Sequence, residues 1–302
     1  PMTRPSSLKI ACAVLFVLLC WAYSPTGIRL GLQGYAPTHL ALARFIVASL
    51  FMAVIALLRG IALPRLRDVP TLLLLGLFAV SLHHVAINYG QRGVSAGAAS
   101  VLAQSTPLFS LLIAHWVFKQ VAGAWHWGCL LLGMAGAVIV VAGDRGLGQF
   151  DPHGLLILVA ALSWSIYFAL QKHHGHRYDA LTITCYTVWS GTALLMVYLP
   201  GLLDDLGHAP SQANTAVLVL GVFPSALAYL AWAWVLRHCE VTRVTLALYL
   251  IPAFAMLIAA ALLGERPSAS VMLGGPLVLI SVLALNLRPP RLPVQPGRQT
   301  SH

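Results

Sequence analysis

The sequence predicts an all-α polytopic membrane protein whose ten transmembrane helices form two inverted repeats of five. Three observations carry that expectation. Of 302 residues, 59% are hydrophobic and only 9% are charged. A soluble domain carries about 25% charged residues, so lipid is the solvent this chain requires. Ten stretches reach the roughly 20 apolar residues needed to cross a bilayer as a helix. The stretches of the first half also recur in order in the second. Laying Pro107 on Pro252 matches Gln91–Gln120 with Leu236–Glu265, pairing Arg92 with Arg237, Phe109 with Phe254 and Gln120 with Glu265. The same register, extended backward, pairs Gly76 with Gly221 and Phe78 with Phe223.

The expected spans of the first half are Leu8–Gly27, Pro37–Leu58, Val69–Gly90, Ser95–Phe118 and Ala124–Ala142. Those of the second are Pro152–Gln171, Asp179–Leu199, Ala213–Leu236, Val241–Gly264 and Ser268–Leu287. The first run leads into Trp21, Tyr23 and Pro25 rather than a small-residue cleavage site, so it is expected to stay as a helix. Turn residues or charges mark the short joins, such as Pro64 with Arg65, Gly143 with Asp144, and Pro200 with Gly201. The stretch 289–302 is Pro-rich and polar and is expected to be a disordered tail. With the amino terminus inside, thirteen Lys and Arg residues fall on the inner side and four on the outer. The positive-inside rule then places both termini in the cytoplasm. Five spans per repeat is an odd number, so the second copy enters the membrane upside down.

Composition also excludes functions. The net charge of +10 could signal nucleic acid, but the cations sit at the ends of apolar runs and form no basic face. The balance suits an anionic cytoplasmic leaflet instead. Cys12, Cys20, Cys129, Cys185 and Cys239 show no metal-type spacing and read as small buried hydrophobes. No nucleophile elbow, phosphate-binding loop or zinc-protease motif is present, which argues against an enzyme. The run His173-His174-Gly175-His176 lies between Lys172 and Arg177 and reads as a solvated inner loop. No cofactor and no metal are assigned.

The polar residues inside spans are the candidate site. Ser81, His84, Asn88 and Gln91 share one face of the third helix. A polar stripe in hydrocarbon faces a cavity or bridges helices. Gly97, Ser100 and Gln104 in the fourth helix match Thr242, Thr245 and Tyr249 in the ninth, and each set precedes a proline, Pro107 or Pro252. Proline removes a backbone donor and frees a carbonyl one turn earlier. In lipid that carbonyl needs a partner or a cavity, so the prolines either shape two lining helices or are packing kinks. Trp164, Tyr167 and Gln171 share a face of the sixth helix, Trp21 holds the place of Trp164 in the first, and Tyr229 and Trp232 lie one turn apart in the eighth. Rings this deep fit a membrane-interface belt poorly; they suit an amphipathic solute. Arg44 is the one formal charge well inside a span. A centred arginine costs about 2.5–3.5 kcal/mol on insertion scales, so it serves a substrate carboxylate or phosphate, or bonds helix-end carbonyls in the bundle. All eight acids fall in loops or at helix ends. That favours facilitation or exchange over ion coupling, with His84 the candidate if a proton is coupled.

Leu19-Cys20-Trp21 with its echo Leu162-Ser163-Trp164, Ala43-Arg44-Phe45, Thr106-Pro107-Leu108-Phe109 and Leu263-Gly264-Glu265 together resemble the EamA family of the drug/metabolite transporter superfamily. The resemblance spans about residues 8–288. It implies two EamA repeats, 1–143 and 144–288, a central cavity, and export or exchange of small metabolites. It also gives Arg44 a position common to the family whatever the substrate. Where the family often has Gly-Glu after the fourth helix, this chain has Lys119-Gln120, while Glu265 keeps the pattern in the second repeat. The expected function is a secondary transporter of the bacterial inner membrane, exporting amphipathic metabolites, most of all apolar or aromatic amino acids. Trp164, Tyr249, His84, Asn88, Gln104, Trp21, Tyr167, Tyr229, Ser100, Thr245 and Arg44 are expected to bind substrate, and Pro107 and Pro252 to shape the helices. The partners are a small-molecule substrate and the lipid bilayer, without nucleic acid, in a monomer or homodimer. The alternatives are a carrier of phosphorylated or nucleotide-linked sugars, a membrane-embedded enzyme and a channel-like pore.

Overall fold

A computed structural model describes residues 6–61, 63–143, 151–174, 177–238 and 246–288. Those residues are helical almost throughout and contain no strand. Thr245, residue 144 at the expected repeat boundary, Gly175 and His176 of the histidine run, Cys239 and the tail 289–302 lie outside the described residues.

The first five spans are α1 (Ser7–Gly31), α2 (Pro37–Arg59), α3 (Leu66–Gly90), α4 (Ala96–Trp116) and α5 (Ala124–Gly143). The second five are α6 (His153–His174), α7 (Ala180–Tyr198), α8 (Ser211–His238), α9 (Leu246–Leu263) and α10 (Ala269–Leu287); among the described residues α9 is a shorter apolar helix, and the other nine are long and apolar enough to cross a membrane. Local chemistry sets the ends. Ser6, Ser95, Asp179 and Ser268 cap helix N-termini through their side-chain oxygens. Gly60 and Gly264 end α2 and α9 in the left-handed region, at φ 65° and 66°, where a Cβ is strained. The join after α7 holds a short helix, Leu202–His208, where the sequence predicts only a turn. Gly201, at φ 88°, starts it, and Asp204 and Asp205 fill its first turn.

The two halves pack by a pseudo-two-fold rule. Helix α1 packs on α8 and α9, and its counterpart α6 packs on α3 and α4. Helix α2 packs on α8 as α7 packs on α3, while α2–α7, α4–α9 and α5–α10 are self-paired contacts. Lipid offers helices no hydrophobic drive to associate, so small residues and hydrogen bonds hold the bundle. A Cβ on Gly76 would lie 2.3 Å from the backbone nitrogen of Gly191, and one on Gly221 would lie 2.8 Å from the carbonyl oxygen of Arg44. These matched glycines therefore bring α3 onto α7 and α8 onto α2. Gly136 and Gly274 do the same for α5 and α10, with 2.7 and 2.5 Å to each other's carbonyl oxygens. That glycine face is used inside the molecule. Outward-facing Leu57, Leu131 and Leu257 are 83%, 70% and 66% exposed, which is the surface lipid must cover.

The long helices are not uniform. Helices α3 and α8 each contain a five-residue π segment, Leu77–Ser81 and Phe223–Leu227. Helix α4 is broken at Gln104–Ser105, where the sequence predicts one continuous span, and restarts at Thr106. Helix α9 changes from 3-10 to α at Ile251, the matching residue. Pro107 and Pro252 each stand second in the restarted helix, where their missing donor costs least. The Ala103 carbonyl, which Pro107 cannot bond, accepts from the Thr106 hydroxyl at 2.9 Å.

Candidate functional site

Four helices, two from each half, bring an aromatic cluster together in mid-span. Trp21 of α1 meets Tyr229 and Trp232 of α8, with ring centres at 6.0 and 5.8 Å. Tyr229 is 6.2 Å from Trp164 of α6, which touches Tyr167 at 5.1 Å and Phe168 at 5.7 Å. Trp164 also lies 4.8 Å from His83 of α3, which lies 4.7 Å from His84. The indole of Trp21 donates to the Pro224 carbonyl at 3.2 Å, inside the π segment of α8. Each such ring pair contributes about 0.5–1.5 kcal/mol beyond its buried area. Trp21, Trp164 and Tyr229 are only partly buried, so the cluster keeps open ring surface.

Arg44 stands at the edge of this cluster, 3% exposed. Its Nε donates to Ser225 Oγ at 2.8 Å, and its guanidinium lies 5.4 Å from the Phe45 ring centre. His84 stacks on the same Phe45 ring at 4.5 Å. The sequence does not single out Ser225; the one local signal it offers is the neighbouring Pro224, a mid-span proline that marks irregular backbone. His83 donates a ring N–H to the Ala160 carbonyl of α6 at 2.8 Å.

The other expected residues lie elsewhere. Asn88, fully buried, donates to the Pro37 carbonyl at 2.9 Å. Its stripe neighbours Ser81 and Gln91 donate to the carbonyls of Gly191 at 2.9 Å and Pro25 at 2.8 Å. These three bonds tie α3 to α7, α2 and α1. Ser100 donates to its own helix at Gly97, 2.7 Å away. Tyr249 is bonded by Asn286 and sits in a separate apolar cluster with Leu108, Leu111 and Val282. Gln104 lies at the α4 break, half-buried.

Two cavities flank the cluster. One, of about 350 Å³, lies on the side of the chain ends, between α4, α6 and α10, and is lined by Pro107, Ser110, Gln120, Ser165, Phe168 and Lys172 among others. The other, of about 410 Å³, lies on the opposite side and is lined by Arg29, Leu32, Gln33, Gln91, Arg92, Leu263 and Glu265. In the repeat register Phe118 and Gln120 of the first match Leu263 and Glu265 of the second. The second is crossed by charge: Arg29 Nε donates to Glu265 at 3.1 Å and its Nη1 to the Gln91 carbonyl at 3.0 Å. The other Glu265 oxygen accepts the Ala96 N–H at 2.9 Å, at the first turn of α4. Helices α1, α3, α4 and α9 are thereby joined on this side.

The EamA-like transporter family matches residues 8–142 and again residues 153–287. The uncharacterized transporter YdfC of Bacillus subtilis (strain 168) is 34% identical over 273 residues, covering 90% of this chain and 89% of its own. A probable terminal-alkyne amino-acid exporter of Streptantibioticus cattleyicolor is 33% identical, with 93% and 94% covered. The uncharacterized inner membrane transporter YedA of Escherichia coli (strain K12) is 25% identical, with 94% and 92% covered. A solved crystal structure superposes with a TM-score of 0.62 at 20% identity, over 94% of this chain and 99% of the other, and so shares the fold. Both halves match one family model and the relatives named for transport align along nearly the whole chain; this multi-pass membrane protein belongs to the EamA-like transporter family.

Proposed function

We propose that this transporter is a secondary carrier that exports or exchanges small amphipathic metabolites, apolar or aromatic amino acids foremost, by alternating access. The observation that carries the reading is the ring cluster at the junction of the halves, where Trp21 and Trp164 hold equivalent places on either side of Tyr229. Inverted-repeat carriers place their sites at that junction, near the bilayer midplane. Partly open rings beside Arg44 and His84 offer an apolar wall and a polar end to one ligand. The relative named as a probable amino-acid exporter supports the substrate class. Trp21, Trp164, Tyr167, Tyr229, His84 and Arg44 form the binding site, with Gln104 at its entrance on the α4 break. The bonds of Asn88, Ser100 and Tyr249 suit them to holding the helices around it. The repeats divide at 143/144, both termini face the cytoplasm by the Lys and Arg distribution, and the membrane is the bacterial inner membrane.

The test is counterflow of labelled phenylalanine and leucine into liposomes holding the purified protein. Saturable counterflow is expected. Trp164→Ala and Tyr229→Ala should each weaken half-saturation about tenfold, or about 1.4 kcal/mol, while the protein still inserts and folds. Absence of saturable flux for every apolar and aromatic amino acid would overturn the substrate class. Non-saturating flux would make the protein a pore.

A further inference from the structure

The polar end of the ring cluster holds three buried atoms without hydrogen-bond partners: Nη1 of Arg44 and both ring nitrogens of His84. Arg44 is 3% exposed and His84 is 6% exposed, so both are shut away from bulk solvent. No carboxylate among the described residues pairs with Arg44; the arginine–carboxylate pairs there are Arg29 with Glu265 and Arg177 with Asp68. The Ser225 hydroxyl meets one of five guanidinium N–H donors. A buried charge without a counter-charge is held at a cost that a bound anion relieves.

The backbone around these groups is irregular in the same way in both repeats. The π segment Phe223–Leu227 carries Ser225, and the π segment Leu77–Ser81 ends three residues before His84. A π segment inside an α-helix occurs frequently at functional sites, because it re-aims side chains. Ser225 bonds Arg44 from the second half, and His84, just beyond the other π segment, lies against Phe45 beside Arg44 in the first. Phe45 links the groups, with the guanidinium at 5.4 Å and the His84 ring at 4.5 Å from its ring. His84 meets His83 at 4.7 Å, and His83 lies 4.8 Å from Trp164, which joins the polar end to the ring cluster.

We propose that Arg44 and His84 are an anion receptor for a single carboxylate of the transported solute. Nη1 of Arg44 and one imidazole N–H donate to the carboxylate oxygens, and the solute's apolar part lies along Tyr229 and Trp164. One guanidinium and one imidazole suit a charge of −1. A phosphate monoester, at about −1.5 to −2, would face too few cations. This deepens the carrier reading and rests on it, since it assigns the chemistry of the same site.

The test compares three probes on the detergent-purified full chain by thermal shift, and on proteoliposomes by counterflow inhibition. The probes are L-phenylalanine, L-phenylalaninamide, which lacks the carboxylate, and 3-phenylpropionate, which keeps the carboxylate and lacks the amine. The two acids should stabilise the wild-type protein and compete, and the amide should be at least tenfold weaker. Arg44→Gln should weaken both acids at least tenfold and leave the amide unchanged, and His84→Gln should weaken the acids several-fold. The acid–amide comparison needs no variant, so it holds if Arg44→Gln fails to fold; Ser225→Ala, which keeps the charge but frees its anchor, should then weaken the acids more than the amide. Equal binding of acid and amide would overturn the receptor while the carrier reading stands. Silence of all three probes, with no amino-acid counterflow, would sink both.

Discussion

Glu265→Gln tests what joins the four helices around the cavity opposite the chain ends. Glu265 uses both oxygens, one for Arg29 and one for the Ala96 N–H that starts α4. A glutamine fills the same space but turns one oxygen into a donor, so one of the two bonds becomes donor against donor. The size follows from exposure. The Arg29 and Glu265 side chains are 36% and 19% exposed, which puts the ion pair in the range of about 0.2–1 kcal/mol. A carboxylate at a helix N-terminus adds about 0.3–1 kcal/mol. Together the loss is about 0.5–2 kcal/mol, or roughly 2–30-fold in the population of the joined arrangement. The reporter is Thr26, fully buried in α1 beneath the junction. In a background with the five native cysteines replaced, Thr26→Cys should react slowly with a membrane-impermeant maleimide. Adding Glu265→Gln should raise that rate by the same roughly 2–30-fold. An unchanged rate in a folded, inserted protein would show that the four-helix junction does not control access from this side.

Three further outcomes follow from the packing. Gly191→Ala should lower the melting temperature in detergent by an amount worth about 1–3 kcal/mol of overpacking, because its Cβ would lie 2.3 Å from Val80 Cβ. Gly128→Ala, with nothing within 4 Å, should be neutral in the same assay, and equal effects would refute the close-approach argument. Asn88→Ala should cost about 0.6–2 kcal/mol of stability through its lost bond to Pro37, with substrate half-saturation unchanged; a weakened half-saturation instead would return Asn88 to the site. Burial raises the Asp205 carboxyl, but the Ala36 N–H and His39 outweigh it and hold the group below the ordinary carboxylate value. Its stabilisation is therefore full above about pH 4, the unfolded value, and fades as pH falls through the lower folded value. Thermal melts at descending pH should show an acid loss that Asp205→Asn flattens, and superimposable profiles would refute it.

Much of the fold was legible because lipid imposes simple rules. Length and apolarity mark spans, and the register pairs Pro107 with Pro252, each one residue past a transition, at Thr106 and Ile251, that the span pattern itself did not show. The ring cluster was legible for the same reason, since mid-span Trp and Tyr are uncommon and three helices carried them. The stripe on α3 was only half legible. Periodicity says that Ser81, His84, Asn88 and Gln91 share a face, but not what stands across from each. Three of them meet a carbonyl of another helix and His84 meets none. Tyr249 shows the limit of repeat arithmetic. It is equivalent to Gln104 in sequence, yet its hydroxyl is taken by Asn286, whose first-repeat counterpart at the end of α5 is Val141 in the same register. The π segments left no local signal beyond Pro224. The short helix after α7 hid behind Pro200-Gly201, which reads as a turn until Asp205 is seen bonding Ala36 and His39 across the halves.

The two cavities are related by the repeat but differ in chemistry, and that difference bears on how the carrier would work. In the motif register that lays Trp21 on Trp164, Arg29 falls on Lys172, and Glu265 falls on Gln120. Both counterparts line the cavity nearer the chain ends. A cation survives on each side, but the acid survives on one. Only the side with the acid forms the ion pair that joins α1 to α9 and caps α4. Identical repeats would make the two access states mirror images of equal energy. An amide in place of one carboxylate takes about 0.5–2 kcal/mol from one joined arrangement and leaves the other intact, which would weight an alternating-access carrier toward the state joined on the Glu265 side. On the proposed cytoplasmic placement of the termini, that resting state would keep its loading mouth toward the cytoplasm, the side from which an exporter takes its substrate.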